Sequence, residues 1–217
     1  MEFRLDPELI KLANKECLLS STYEPSSKTK MKLRAAPGAG TMYLQSECAE
    51  ALAELFAGAE EAGYKLYLKS AYRAYKTQKT MYNNRLERNN GKDDGWVSKP
   101  GASDHQTGLG CDVVPGSWKD KSMNSNMAST PECQWMAEHC YEYGFVIRYP
   151  EDKQDITEIN YEPWHLRYVG KEVARYIWRN GLCLEEFHEQ LQAAIDAYLA
   201  AGGDARRVEN LIQTSAE

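Results

Sequence analysis

Ser103-Asp104-His105-Gln106-Thr107-Gly108-Leu109-Gly110-Cys111-Asp112-Val113-Val114-Pro115 is the stretch on which the reading of this chain turns. Gly108 and Gly110 let the backbone turn tightly. Residues 111–115 have the composition of a short strand. Alternation along that strand sets Asp112 on one face and Cys111 and Val113 on the other. Fifty residues on comes a second short segment, Glu162-Pro163-Trp164-His165. Residues three apart face opposite ways in an unbroken strand, but Pro163 makes an unbroken ladder unfavourable there. The spacing therefore predicts a bend at 162–165 that turns Glu162 and His165 to the same side.

The two segments hold two of the chain's four histidines and three carboxylates. His105, Asp112 and His165 form a two-nitrogen, one-oxygen set, and catalytic zinc takes three such protein ligands and keeps a position open. One negative charge in the set leaves the metal net positive, which helps acidify a water and polarise a carbonyl. Glu162 is then the natural general base. A second reading stands beside this one on residue type alone. A His or Asp near glycine commonly serves a turn or a cap, and a Trp-His pair commonly packs as a half-buried aromatic pair.

Outward from these segments, the pattern from Gln45 to Gly63 is helical, with Cys48, Leu52, Leu55, Phe56 and Ala59 on one face. Residues 65–69 alternate like a strand. Residues 77–88 read as a second helix and 89–101 as a polar loop. Thr130-Pro131-Glu132 marks a helix start, with Thr as N-cap and Pro in the first turn. Residues 145–149 and 156–161 read as strands joined in a hairpin. Residues 167–179 and 184–201 read as helices. His139 and His188 fall on helices as solvated or capping residues, and Arg148 reads as the partner of a carboxylate near the sheet. The order of elements predicts an α+β fold: a small, mainly antiparallel sheet carrying the site, flanked by helices. The expected organisation is an irregular lead-in over 1–43, one domain over 44–201 and a mobile tail over 202–217.

The whole chain bounds the function. Its 217 residues suit one domain, and 42% hydrophobic content is enough for a core. A net charge of -6 argues against a nucleic-acid partner, which needs a basic face. No apolar run reaches the roughly 20 residues of a membrane span. The opening residues lack the basic and apolar regions of a signal peptide. That predicts either a cytoplasmic protein or a chain whose export segment is missing. The six cysteines include no Cys-x-x-Cys pair, so they read mostly as buried free thiols. A monomer is expected.

Ser103-x-His105-x-x-Gly108-x-x-x-Asp112 followed by Glu162-x-x-His165 resembles the zinc carboxypeptidases that trim peptidoglycan peptides. These are the VanY-like D-alanyl-D-alanine carboxypeptidases and the related L,D-carboxypeptidases of the LdcB type. Three further stretches are similar to that family: 70–78 (Ser-Ala-Tyr-Arg-Ala-Tyr-Lys-Thr-Gln), 144–150 (Gly-Phe-Val-Ile-Arg-Tyr-Pro) and 161–170 (Tyr-Glu-Pro-Trp-His-Leu-Arg-Tyr-Val-Gly). The resemblance runs from about residue 12 to 190. It implies one zinc ion on His105, Asp112 and His165, with Glu162 as catalytic base. It implies Arg73 beside the metal, stabilising the oxyanion or holding the substrate's carboxylate. It implies Gln78 and Ser103 hydrogen-bonded to a terminal D-alanine. The implied substrate is a peptidoglycan stem peptide, or its precursor, ending in D-alanine. The implied reaction is D,D-carboxypeptidase cleavage. L,D-cleavage of tetrapeptides, endopeptidase action and an inactive wall-binding module are the alternatives. Tyr72 and Trp164 are candidate pocket walls. The run 156–159 departs from the family pattern and is a candidate lining of the groove.

Overall fold

The computed structural model describes residues 5–211. The lead-in holds one two-residue strand, β1 (Thr29–Lys30), paired antiparallel with β2 (Tyr43–Leu44). Helix α1 (Ser46–Glu61) comes next and buries the expected stripe of Cys48, Leu52, Leu55, Phe56 and Ala59. Each large apolar side chain buried there contributes roughly 1.5–3 kcal/mol. Next come β3 (Leu66–Ser70), α2 (Tyr75–Arg88), the one-turn α3 (Asp104–Thr107) and β4 (Gly110–Pro115). After α4 (Pro131–His139) the chain runs through β5 (Phe145–Ile147), α5 (Gln154–Thr157), β6 (His165–Tyr168), α6 (Lys171–Asn180) and α7 (Leu184–Ala200).

Four strands form the main sheet in the order β3-β4-β6-β5, every neighbouring pair antiparallel. The fold is α+β, a small antiparallel sheet flanked by helices, as expected. All six residues of β4 are buried because the strand is central and covered on both faces. Cys111 and Val113 go to the main core with Leu52, Leu55 and Phe145, so Asp112 faces the other way. α4 starts as expected: the Thr130 Oγ1 accepts from the Cys133 N–H at 3.3 Å, with Pro131 in the first turn.

The expected hairpin is absent. The partner of β5 is β6, with Val146 opposite Arg167. Residues 154–157 instead make one helical turn, stopped by Glu158 at φ 55°. Ile156 and Ile159 are apolar, but Ile156 is exposed, so no sheet face awaits it. The backbone there is tied elsewhere: the Tyr161 N–H donates to Gln154 Oε1 and the Asn160 N–H to the Gly95 carbonyl. Residues 167 and 168, expected in a helix, are strand, and the helix starts at Lys171. The turn at Pro163 restarts the chain as β6, which places Leu166 in the core and buries Arg167.

Much of the lead-in is fastened to the body. The Arg167 guanidinium donates to the carbonyls of Leu9 and Lys11, and Gln106 donates to that of Ser20. Ile10 is buried in a second apolar cluster with Val173, Ile177 and Phe187 of α6 and α7. All six cysteines are free thiols, five of them buried. His139 is paired with Glu142 on the surface, and His188 faces the Ile10 carbonyl. In the expected tail, residues 205–207 and 209–211 form short 3-10 turns. Residues 212–217 of that tail lie outside the described residues.

Candidate active site

His105 sits on α3, the turn that leads into β4. The turn ends at Gly108, whose φ of 71° is open to glycine at little cost. Gly110 is needed for another reason: a Cβ there would fall 2.8 Å from Asp104 Cβ and 2.9 Å from its carbonyl carbon. That close approach folds α3 back onto β4 and brings His105 to the face that carries Asp112. The Nδ1 of His105 lies 2.7 Å from the Ala71 carbonyl, which can only accept. Nδ1 therefore carries the proton, and Nε2 turns its lone pair toward Asp112 Oδ2, 3.4 Å away.

Sheet register supplies the next pair. Asp112 on β4 stands directly opposite His165 on β6, and Asp112 Oδ1 is 3.0 Å from His165 Nδ1. The bend at 162–165 is a β-turn: the His165 N–H donates to the Glu162 carbonyl at 3.1 Å, with Pro163 in the second position that such turns favour. The turn brings Glu162 Oε2 to 3.7 Å from His165 Nδ1. Trp164 points to the wall, stacked on Trp96 with ring centres 6.3 Å apart.

His105, Asp112 and His165 are all buried, and one donor atom from each lies within 4.8 Å of the others. Burial first, then the nearby Arg73 charge, hold His105 below its ordinary value, so its imidazole is neutral. Asp112 is held below the usual carboxylate range despite its burial, with His165 Nδ1 3.0 Å from its Oδ1. A neutral lone pair then faces a carboxylate, an arrangement that repels unless a cation stands between them. Among the described residues the other ring nitrogen of His165, Nε2, is buried with no hydrogen-bond partner, so the contacts of these residues do not fully account for that ring. Tetrahedral zinc with ligands at about 2.0–2.2 Å sets ligand atoms about 3.4 Å apart. The 3.4 Å between His105 Nε2 and Asp112 Oδ2 matches that spacing, and His165 Nδ1 lies 3.0 Å from the other oxygen of the same carboxylate.

The cluster lies at the floor of a cleft of about 370 Å³. Burial first, and then the Asp112 charge, push the Glu162 carboxyl well above the usual carboxylate range, with Arg73 opposing. Arg73 lies just after β3, and its N–H donates to the His105 carbonyl. Its guanidinium is held by Gln78 Oε1 at 2.8 Å and Ser70 Oγ at 3.0 Å. Gln78 is buried, not solvated, and its amide also donates to the Ser98 carbonyl at 2.7 Å. Ser103 lines the same cleft.

The structure thus brings together all seven candidate residues. Trp164 walls the cleft, but Tyr72 does not; its hydroxyl donates to Glu24 on the surface. The run 156–159 is not among the lining residues. Arg148 sits behind the site, fully buried, with Nε on Asp104 at 2.6 Å and a fork on Glu185 at 2.7 and 2.8 Å. Tyr149, whose ring lies 5.1 Å from that of His165, also lines the cleft. So do Arg85 and Trp96, brought in by α2 and the following loop, where no sequence periodicity points to them.

Residues 41–171 match the family model described as VanY: D-alanyl-D-alanine carboxypeptidase. YodJ of Bacillus subtilis (strain 168), named as a carboxypeptidase, is 39% identical over 191 residues, which cover 86% of this chain and 70% of YodJ. A D-alanyl-D-alanine carboxypeptidase of Enterococcus faecalis is 34% identical over 63% of this chain, and the match spans 52% of that protein's length. Among solved structures, the LdcB LD-carboxypeptidase superposes with a TM-score of 0.78 at 40% identity, covering 84% of this chain and 87% of LdcB. A VanY D,D-pentapeptidase in complex with Zn(II) gives 0.68 at 28% identity, covering 83% and 98%. VanYB in complex with D-alanine-D-alanine gives the same score and identity, covering 82% and 96%.

Proposed function

Because the chain belongs to the VanY family of D-alanyl-D-alanine carboxypeptidases, we propose that it is a zinc-dependent carboxypeptidase. It hydrolyses the bond before a C-terminal D-alanine of peptidoglycan stem peptides. The observation that carries the reading is the convergence of His105, Asp112 and His165 beside a buried Glu162. Support for the metal and the substrate comes from the VanY neighbours, one with Zn(II) and one with D-alanine-D-alanine.

His105, Asp112 and His165 would hold the ion. When bound, zinc supplies Lewis acidity: it polarises a carbonyl and acidifies water. Glu162 takes a proton from the attacking water as its oxygen bonds to the peptide carbonyl carbon. The same carboxyl returns the proton to the departing amine as the C–N bond breaks. The high pKa direction of Glu162 suits a group that must both accept and release a proton near neutral pH. Arg73, fixed by Gln78 and Ser70, stabilises the developing oxyanion or the substrate's carboxylate. Gln78 keeps one amide hydrogen beyond its bond to Ser98, and Ser103 offers its hydroxyl; both serve the terminal D-alanine.

The stronger likeness to LdcB favours a second reading, L,D-cleavage of tetrapeptide stems. Incubating defined pentapeptide and tetrapeptide stems with the zinc-loaded protein and weighing the products separates the two. Loss of one alanine from the pentapeptide alone supports D,D-cleavage, loss from the tetrapeptide alone supports the second reading, and no cleavage of either contradicts both.

A further inference from the structure

The cleft carries a guanidinium that this reaction does not use. One stripe of α2 faces the cavity: Gln78, Met81 and Arg85 all line it, at positions i, i+3 and i+7 of one helix face. Core packing does not explain the stripe, since Gln78 is the one buried residue among those of α2. At the inner end, Gln78 holds Arg73. At the outer end, Asp94 holds Arg85, whose Nε reaches the two carboxylate oxygens at 3.1 and 3.0 Å while Nη2 donates to Oδ2. Among the described residues Arg85 Nη1 has no hydrogen-bond partner, although the side chain lines the cleft. Asp94 is itself fixed, with Asn160 donating to its carbonyl at 2.7 Å and the Trp96 N–H reaching Oδ1 at 3.4 Å. The guanidinium is therefore positioned before any ligand arrives, with a donor left over.

We propose that Arg85 forms a second carboxylate-reading subsite, which takes an acidic group about three residues toward the amino end of the peptide from its C-terminal carboxylate. The proposal rests on the peptidase reading above. Gln78 and Arg85 are seven residues apart on one helix, about 10.5 Å along its axis. An extended peptide advances about 3.3–3.6 Å per residue, so that span is about three residues. Arg73 and Arg85 are the only lysine or arginine side chains that line the cleft among the described residues. Between them lies Met81, 38% exposed, an apolar floor suited to small side chains. The pattern is cation, apolar surface, cation, and it fits a peptide with two carboxylates separated by small residues. A planar guanidinium already held by Asp94 loses little freedom on taking a second carboxylate. The side chain is 40% exposed, so the gain is that of a solvated ion pair.

The test uses two synthetic pentapeptides ending in D-Ala-D-Ala. They differ only three residues before the last, where one has a free side carboxylate and the other its carboxamide. With zinc-loaded protein, KM for the acid should be about fivefold lower than for the amide. In Arg85→Met the difference between the two peptides should disappear, and in Arg85→Lys part of it should remain. Equal KM values in the unmutated protein, or a difference that persists in Arg85→Met, would overturn the subsite. If neither peptide is cleaved, the D,D-carboxypeptidase reading fails by itself. Calorimetric titration of the same two peptides then still decides on Arg85: tighter binding of the acid, lost in Arg85→Met, upholds the subsite, and equal Kd values overturn it.

Discussion

At the scale of single residues, the site is legible wherever a side chain's chemistry and its backbone spacing point the same way. His105, Asp112, Glu162 and His165 can be read from two short segments, because turn glycines and Pro163 announce the bends that gather them. Tyr149, Trp96 and Arg85 cannot, because the chain just after β5, the loop after α2 and α2 itself deliver them across the fold. Tyr72 fails as a wall for the converse reason: its neighbour Arg73 turns inward while Tyr72 turns out to Glu24. His105→Ala should abolish stoichiometric metal. Elemental analysis of the purified protein should find about one zinc per unmutated chain and almost none in the variant. Arg73→Lys keeps the charge but loses the fork held by Gln78 and Ser70. It should lower kcat/KM by about 10²-fold with metal content unchanged, measured by steady-state kinetics on a stem pentapeptide.

At the scale of elements, helices with apolar stripes are readable and the pairing of the last two strands is not. α1 and α7 keep closely to their periodicity, since each lays one face on the core. The run 156–161 has a strand-like composition without a sheet to receive it, while β6 is only four residues long and starts inside a turn. Pairing between β6 and both β4 and β5 is a long-range choice that no local pattern encodes. The contact of α3 with β4 depends on the missing side chain at 110. Gly110→Ala would force a methyl against the Asp104 backbone, and should cost about 1–3 kcal/mol, read as a lower urea midpoint with an unchanged slope. The same variant should bind zinc more weakly, because the shift falls on the residue beside His105.

At the scale of the whole molecule, the metal-bearing segments are tied from behind to the lead-in and to the last long helix. Arg148 and Arg167 share the Asp104 carboxylate, Arg148 forks onto Glu185 at the start of α7, and both reach lead-in carbonyls. Burial alone would raise Glu185, but the Arg148 charge and hydrogen bonds outweigh it and hold its carboxyl below the ordinary value. A depressed folded pKa means that the pair stabilises above the unfolded value, and that this stability is lost as pH falls through the folded one. The urea midpoint should therefore be nearly level from pH 7 to about pH 5 and drop below it. Glu185→Gln should cost about 3 kcal/mol at pH 7 and flatten the acid decline, followed by chemical denaturation at several pH values. An acid limb of the same steepness in both proteins would count against this pairing. The central claim is that the folded chain presents a metal-dependent hydrolytic site in which Glu162 moves the proton. The most direct measurement is mass spectrometry of a D-Ala-D-Ala-terminated stem pentapeptide incubated with zinc-loaded protein, side by side with zinc-loaded Glu162→Ala. The unmutated protein should release one alanine, stop when a chelator is added and resume with zinc, while Glu162→Ala keeps its zinc and releases none. Cleavage that continues in Glu162→Ala, or that is indifferent to the chelator, would contradict the claim.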